Sequence, residues 1–140
     1  MPNVVVKFVK LERPERAVVL CDLAEEFFLQ DQRVVIVVQD DNQGVTLDRF
    51  MWIWRKDAFV PHVYDNGAVD CIDEPVVITT REENRNGGQV LIQARPCSAD
   101  FVRHFQLAID FAEVYDDTLA EGSRERFKVF RKAGFDVGMR

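Results

Sequence analysis

The run Val34-Val35-Ile36-Val37-Val38 constrains the fold more than any other part of the chain. Five consecutive β-branched residues are too few for an ordinary helix. They are also too uniformly apolar for a strand with one wet face. Such a run reads as a strand covered on both sides. Before it, Arg16 to Gln30 places Ala17, Leu20, Cys21, Ala24, Phe27 and Phe28 at helical spacing, with Pro14 near the start, where a missing amide proton costs nothing. A doubly covered strand next to an amphipathic helix predicts a mostly parallel sheet with helices on both faces.

The remaining pattern extends this reading. Asn3 to Val9 is a β-branched run and a first strand. Asp40 and Asp41 can cap a helix from about Asn42 to Trp54, whose first turn Gly44 weakens. Lys56 to Glu74 reads as a long connection punctuated by Pro61 and Asn66-Gly67. Val76 to Thr80 and Gln89 to Arg95 are strands, separated by a turn at Asn84 to Gly88. Ser98 and Asp100 open a short helix through about His104. Leu107 to Val114 is a fifth strand, with Leu107, Ile109 and Phe111 expected inward and Ala108, Asp110 and Ala112 outward. A helix over Asp100 to Phe111 is the competing reading. Asp116 and Asp117 lead into a last helix, about Asp117 to Ala133, that stops at Gly134. The expected fold is a single-domain, three-layer α/β arrangement over residues 1–140, with about five strands.

The 140 residues suit one hydrophobic core. No apolar run approaches the roughly 20 residues that span a bilayer. The start, Met1 to Lys10, lacks the features of a secretory signal, so a cytoplasmic protein is expected. Three cysteines at wide spacing, Cys21, Cys71 and Cys97, fit free thiols in a reducing compartment.

The chain lacks the parts that α/β folds use for nucleotide chemistry. The turn Val9-Lys10-Leu11-Glu12-Arg13 has no glycine, so it offers no backbone cradle for a pyrophosphate. No P-loop and no Gly-x-Ser-x-Gly elbow occurs. His62 and His104 stand at no metal spacing, so no metal site and no cofactor are expected, and His62 reads as a structural loop residue. The paired acids Asp40-Asp41, Glu82-Glu83 and Asp116-Asp117 abut helix starts or turns, where capping and solvation explain them.

Charge is distributed unevenly. Residues 123–140 hold six cations against two carboxylates, a net +4, so the first 122 residues carry −10 of the chain's −6. The acidic body argues against broad binding to phosphate backbones. The basic end points to a local anion site. Stepping roughly 100° per residue, Arg124, Lys128 and Arg131 share a sector of about 60°, with Phe127 beside them, while Leu119, Phe130 and Ala133 form a core stripe on another side. An aromatic ring bracketed by cations suits an acidic, aromatic-tipped peptide, with guanidinium groups holding carboxylates. Core packing of Phe127 with solvated cations, or a nucleic-acid strand stacked on the ring, are the rival readings.

Two blocks carry a family resemblance. Leu47-Asp48-Arg49-Phe50-Met51-Trp52 followed by Ala58-Phe59-Val60-Pro61-His62, and Arg124-Glu125-Arg126-Phe127-Lys128-Val129-Phe130-Arg131-Lys132-Ala133-Gly134-Phe135, resemble segments of the chi subunit of DNA polymerase III. Ala58 stands where that family usually has Ser, and Phe111 to Tyr115 is one residue longer. The resemblance implies a non-catalytic adaptor that binds no nucleotide and meets nucleic acid only indirectly. It would bind the acidic C-terminal tail of single-stranded DNA-binding protein and, through another surface, the psi subunit of the clamp loader or a DinG-like repair helicase. It assigns the tail pocket to Arg124, Phe127, Lys128, Arg131, Gly134 and Val114, and the second surface to Trp52 and Phe59. An unrecognised nucleotide-binding enzyme is the alternative. Neither reading involves a membrane.

Overall fold

The computed structural model describes residues 3–140. Its elements run β1 (Val5–Leu11), α1 (Ala17–Leu29), β2 (Val34–Val37), α2 (Asp41–Ile53), β3 (His62–Tyr64), β4 (Val76–Thr79), β5 (Val90–Gln93), α3 (Ala99–Val102), β6 (Leu107–Glu113), α4 (Asp117–Lys132) and β7 (Asp136–Met139). All seven strands lie in one sheet, in the order β3-β4-β2-β5-β6-β1-β7, and every pairing is parallel.

The expected α/β layering is present, with seven strands where about five were read. The two extra strands are the edges. β3 has three residues inside the stretch read as a connection, and β7 is Asp136-Val137-Gly138-Met139, whose composition gives no strand pattern. Each pairs on one side only, so neither needs the double burial that marks β2.

The continuous run in β2 has the predicted cause. Val34, Ile36 and Val38 pack in one core with Leu20, Ala24 and Phe27 of α1 and Leu47 and Met51 of α2. Val35 and Val37 pack in a second core with Phe101 and Val102 of α3 and Phe130 of α4. Helices α1 and α2 therefore cover one face of the sheet, and α3 and α4 cover the other. The same double cover corrects the inward-outward reading of β6. Ala108 is fully buried and Asp110 is 2% exposed, so residues 108 and 110 do not face water. β6 lies between β5 and β1, and α4 closes over its second face. Asp110 tolerates burial there because Arg126 Nε donates to it at 2.8 Å. Burial still pushes this carboxyl above its usual range, against the pull of Arg126.

The strand-to-strand connections β3 to β4 and β4 to β5 contain no helix, so side chains must satisfy their backbones. The buried Asp65 carboxylate accepts from Arg85 Nη1 at 3.1 Å, Arg81 Nη2 at 3.4 Å and the Gly67 N–H at 2.9 Å. Burial alone would raise this carboxyl, but the Gly67 amide and the two guanidinium groups outweigh it, and it sits below its ordinary value. Asn86 Nδ2 donates to Glu74 O at 2.9 Å, and Arg33 Nη1 donates to Ile72 O at 3.0 Å. Gly44 has a packing role that its low helix propensity hides: any Cβ there would overlap the Tyr64 ring.

Candidate functional site

Helix α4 is set by its two ends. Asp116 caps it, accepting from the Leu119 N–H at 2.9 Å. At the far end the Gly134 N–H donates to Arg131 O at 3.0 Å and the Phe135 N–H to Phe130 O at 3.2 Å. Gly134 takes φ +91°. This is the paired-bond stop that favours glycine, and Phe135 completes it by packing on Phe130 at 6.0 Å between centroids.

The inward side of α4 carries Ser123, Arg126 and Phe130. Ser123 Oγ accepts the Glu113 N–H at 3.1 Å, tying the helix to the end of β6. Phe130 is 1% exposed. Leu119, expected in this stripe, is instead 40% exposed, because it lies in the first turn, beyond the second core. Arg126 belongs with the inward group. Its pairing with Asp110 takes it away from the exposed cations among which its sequence position placed it.

The next face of α4 builds a groove of about 370 Å³. Phe127 forms part of its wall and is half-buried against Phe8 of β1, 5.3 Å between centroids. Val114, Ala112, Ala120 and Met139 supply more apolar lining, Glu113 and Ser123 border it, and Arg124, Lys128 and Arg131 complete it. Among the described residues, Arg124 and Lys128 are exposed and make only surface pairs, with Glu121 at 3.5 Å and Glu125 at 4.0 Å, so both are available to an incoming anion. Five of the six residues that the sequence assigns to a tail pocket therefore meet here. Gly134 does not line the groove; it closes the helix below it. Phe8, Ala112, Ala120 and Met139 escaped the sequence reading. Phe8 and Met139 reach the groove only through the pairing of β1 with β6 and β7, which no local pattern announces.

Trp52 and Phe59 form a second surface at the β3 edge. Trp52 is 49% exposed and Phe59 is 70% exposed, so neither is core. Their rings lie 6.1 Å apart, and Trp52 packs on His62 at 4.2 Å. His62 is buried, with ring nitrogens 2.7 Å from Val60 O and 2.9 Å from Asp48 O. It serves as the platform under Trp52, in keeping with a structural histidine. Ile53, 75% exposed, adjoins Trp52 in the chain and adds apolar surface.

The cysteines are not positioned for chemistry. Cys21, Cys71 and Cys97 are free and buried. Desolvation pushes the Cys21 and Cys97 thiols up to about 12, so they stay protonated near neutrality. No helix among the described residues is long and apolar enough to cross a membrane.

Comparison with known proteins agrees with the sequence blocks. The model of the family "DNA polymerase III chi subunit, HolC" matches residues 1–138. The chain is 33% identical over 119 residues to DNA polymerase III subunit chi of Escherichia coli (strain K12), covering 84% of this chain and 80% of that one. It is 28% identical over 122 residues to the Pseudomonas aeruginosa subunit chi, covering 87% and 83%. Among solved structures, the C-terminal domain of S. cerevisiae Dbp5, in a complex with Gle1 and IP6, superposes with a TM-score of 0.60 at 13% identity. The match covers 99% of this chain and 88% of that one and speaks to the fold alone. A family match over nearly the whole length, with curated relatives at 33% and 28% identity, leads to one conclusion: the chain belongs to the DNA polymerase III chi subunit family.

Proposed function

We propose that this protein is a non-catalytic accessory subunit of bacterial DNA polymerase III that captures the acidic C-terminal tail of single-stranded DNA-binding protein in the α4 groove. The supporting observation is the groove itself: an apolar slot walled by Phe127 and Phe8 and edged by Arg124, Lys128 and Arg131. It lies on a chain whose first 122 residues carry −10. That background disfavours a polyanionic backbone, while the basic edge of this groove favours a short acidic peptide with an aromatic tip. The tail's ring would enter the slot, and Arg124 and Lys128 would take its carboxylates.

The exposed Trp52–Phe59 pair is the proposed anchor for the second partner, the psi subunit of the clamp loader or a DinG-like helicase. Exposed Trp and Phe on a rigid platform are what an interface hot spot requires. Held at both surfaces, the protein would link the replicase to coated single-stranded DNA without touching the DNA itself.

Titrating a fluorescently labelled tail peptide tests the groove assignment. Micromolar affinity is expected, roughly −8 kcal/mol. Arg124→Ala should weaken it by about 1–3 kcal/mol, as for a lost charged hydrogen bond. Equal binding by wild type and variant would remove the assignment. A gel shift of single-stranded DNA by the purified protein alone would favour direct stacking on Phe127 instead.

A further inference from the structure

Edge strand β7 leaves part of its main chain unpaired beside the α4 groove. It pairs with β1 on one side, and no strand lies beyond it among the described residues. The Asp136 N–H donates to Val4 O at 2.9 Å, and the Arg140 N–H donates to Phe8 O at 2.9 Å. Along a strand, residues that turn their main chain to one neighbour alternate with those that turn it away. Asp136, Gly138 and Arg140 therefore face β1, and Val137 and Met139 point their N–H and C=O groups to the open side. Such a row is a template for another extended chain.

The surrounding side chains select what this edge can take. Val137 and Met139 lie on the α4 side of β7, where Val137 packs against the second core and Met139 lines the groove. Lys128 and Arg131 stand at the groove on that same side. On the opposite side Lys7 brings its ammonium beside Gly138, where a Cβ would stand 3.3 Å from Nζ. The missing side chain of Gly138 thus leaves room for that cation at the surface of the strand. Asp136, at the end of β7 away from the groove, is the one carboxylate on the strand itself. An added strand turns alternate side chains to the two faces of the sheet, so a run of acidic residues would meet cations on both.

With the ring of the acidic tail in the α4 groove, the reading on which this rests, we infer that the residues before that ring lie along the open edge of β7 as an eighth strand. Met139 belongs to both places: its side chain lines the groove and its main chain opens on the edge. The groove lies at the carboxyl end of β7, so the peptide runs parallel to β7 and delivers its tip past Met139. The four residues of β7 match roughly four peptide residues at about 3.3 Å each. Main-chain hydrogen bonds then add affinity that does not depend on side-chain identity. The protein reads the acidic run by its charge and extended shape, and reads the tip by the slot.

Amide hydrogen exchange of the full-length ¹⁵N-labelled protein, saturated with the tail peptide, tests this. The Val137 and Met139 amides should exchange about tenfold more slowly than in the free protein. Tail peptides carrying a single N-methyl group, moved one residue at a time through the positions before the ring, give a second readout. Affinity should fall about tenfold at alternate positions and little at those between, because a strand turns every second residue to its neighbour. Val137→Pro removes one outward N–H without removing a bond to β1, and should bind about tenfold more weakly than Val137→Ala. If the proline variant misfolds, the methylated peptides still decide. Perturbed Phe127 and Lys128 amides with unchanged exchange at Val137 and Met139, or even tolerance of N-methylation at every position, would overturn the added strand and leave the groove standing. Silence at Phe127 and Lys128 would instead remove the groove reading, and the strand with it.

Discussion

The α4 groove and the Trp52–Phe59 patch lie at opposite ends of the sheet and work by different physics. The groove sits beside edge strand β7, in the helical layer formed by α3 and α4. The patch sits at edge strand β3, beside α2. The groove is concave and cationic, and its ring is half-buried. The patch is aromatic, with Trp52 49% and Phe59 70% exposed. Concavity with charge suits a short flexible peptide, whose affinity is modest and salt-dependent. An exposed aromatic pair suits a folded partner, whose pocket desolvates it. If both proposed contacts form, their separation would let one small domain hold two partners at once.

Their scaffolds also differ, and this difference carries the largest predicted effect. The β3 side depends on helix-free connections fastened by Asp65. Asp65→Asn should cost about 3 kcal/mol of stability, near the low end for a broken buried pair because Arg81 and Arg85 can still reach water. The pH dependence follows the same asymmetry. The Asp65 carboxyl is held below its ordinary value, so its contribution is present above that value, about 4, and is lost as pH falls through the folded one. Asp110, under α4, is raised by burial, so it binds protons more readily when folded and opposes acid unfolding. Hydrogen exchange at descending pH should therefore show β3 and β4 losing protection before β6 and α4. The reverse order would break the contrast.

Next in size is Trp52→Ala, which should cost about 2 kcal/mol or more in binding of the second partner, read by calorimetry, and leave the tail peptide unaffected. Arg124→Ala should do the converse, with roughly tenfold weaker tail binding, and an effect on both partners would show that the two surfaces are one. Smallest is Asp116→Ala, expected to lower stability by about 1 kcal/mol through the lost cap of α4 and read from denaturant unfolding.

The central layers were legible in the sequence because burial on both faces leaves a mark in composition. β2, β4, α1 and α4 follow from their apolar patterns. The edges were not. β7 contains Gly138 and Asp136 and needs only one neighbour, so period and propensity are silent there. The outward assignment of Asp110 failed for a related reason. Alternation of apolar and polar residues signals a wet face only when no cation on a covering helix satisfies the polar member, and Arg126 does so here. Sequence placed Arg124, Phe127 and Lys128 together because a helix fixes their spacing. It could not supply Phe8 and Met139, which arrive from strands at either end of the chain.

The most direct measurement follows the amide resonances of the labelled protein as the acidic tail peptide is added. Saturable shifts should appear at Val114, Phe127, Lys128 and Met139, with Trp52 and Phe59 unmoved. Saturable shifts gathered around Trp52 and Phe59, with Phe127 silent, would contradict the assignment of the peptide to the α4 groove.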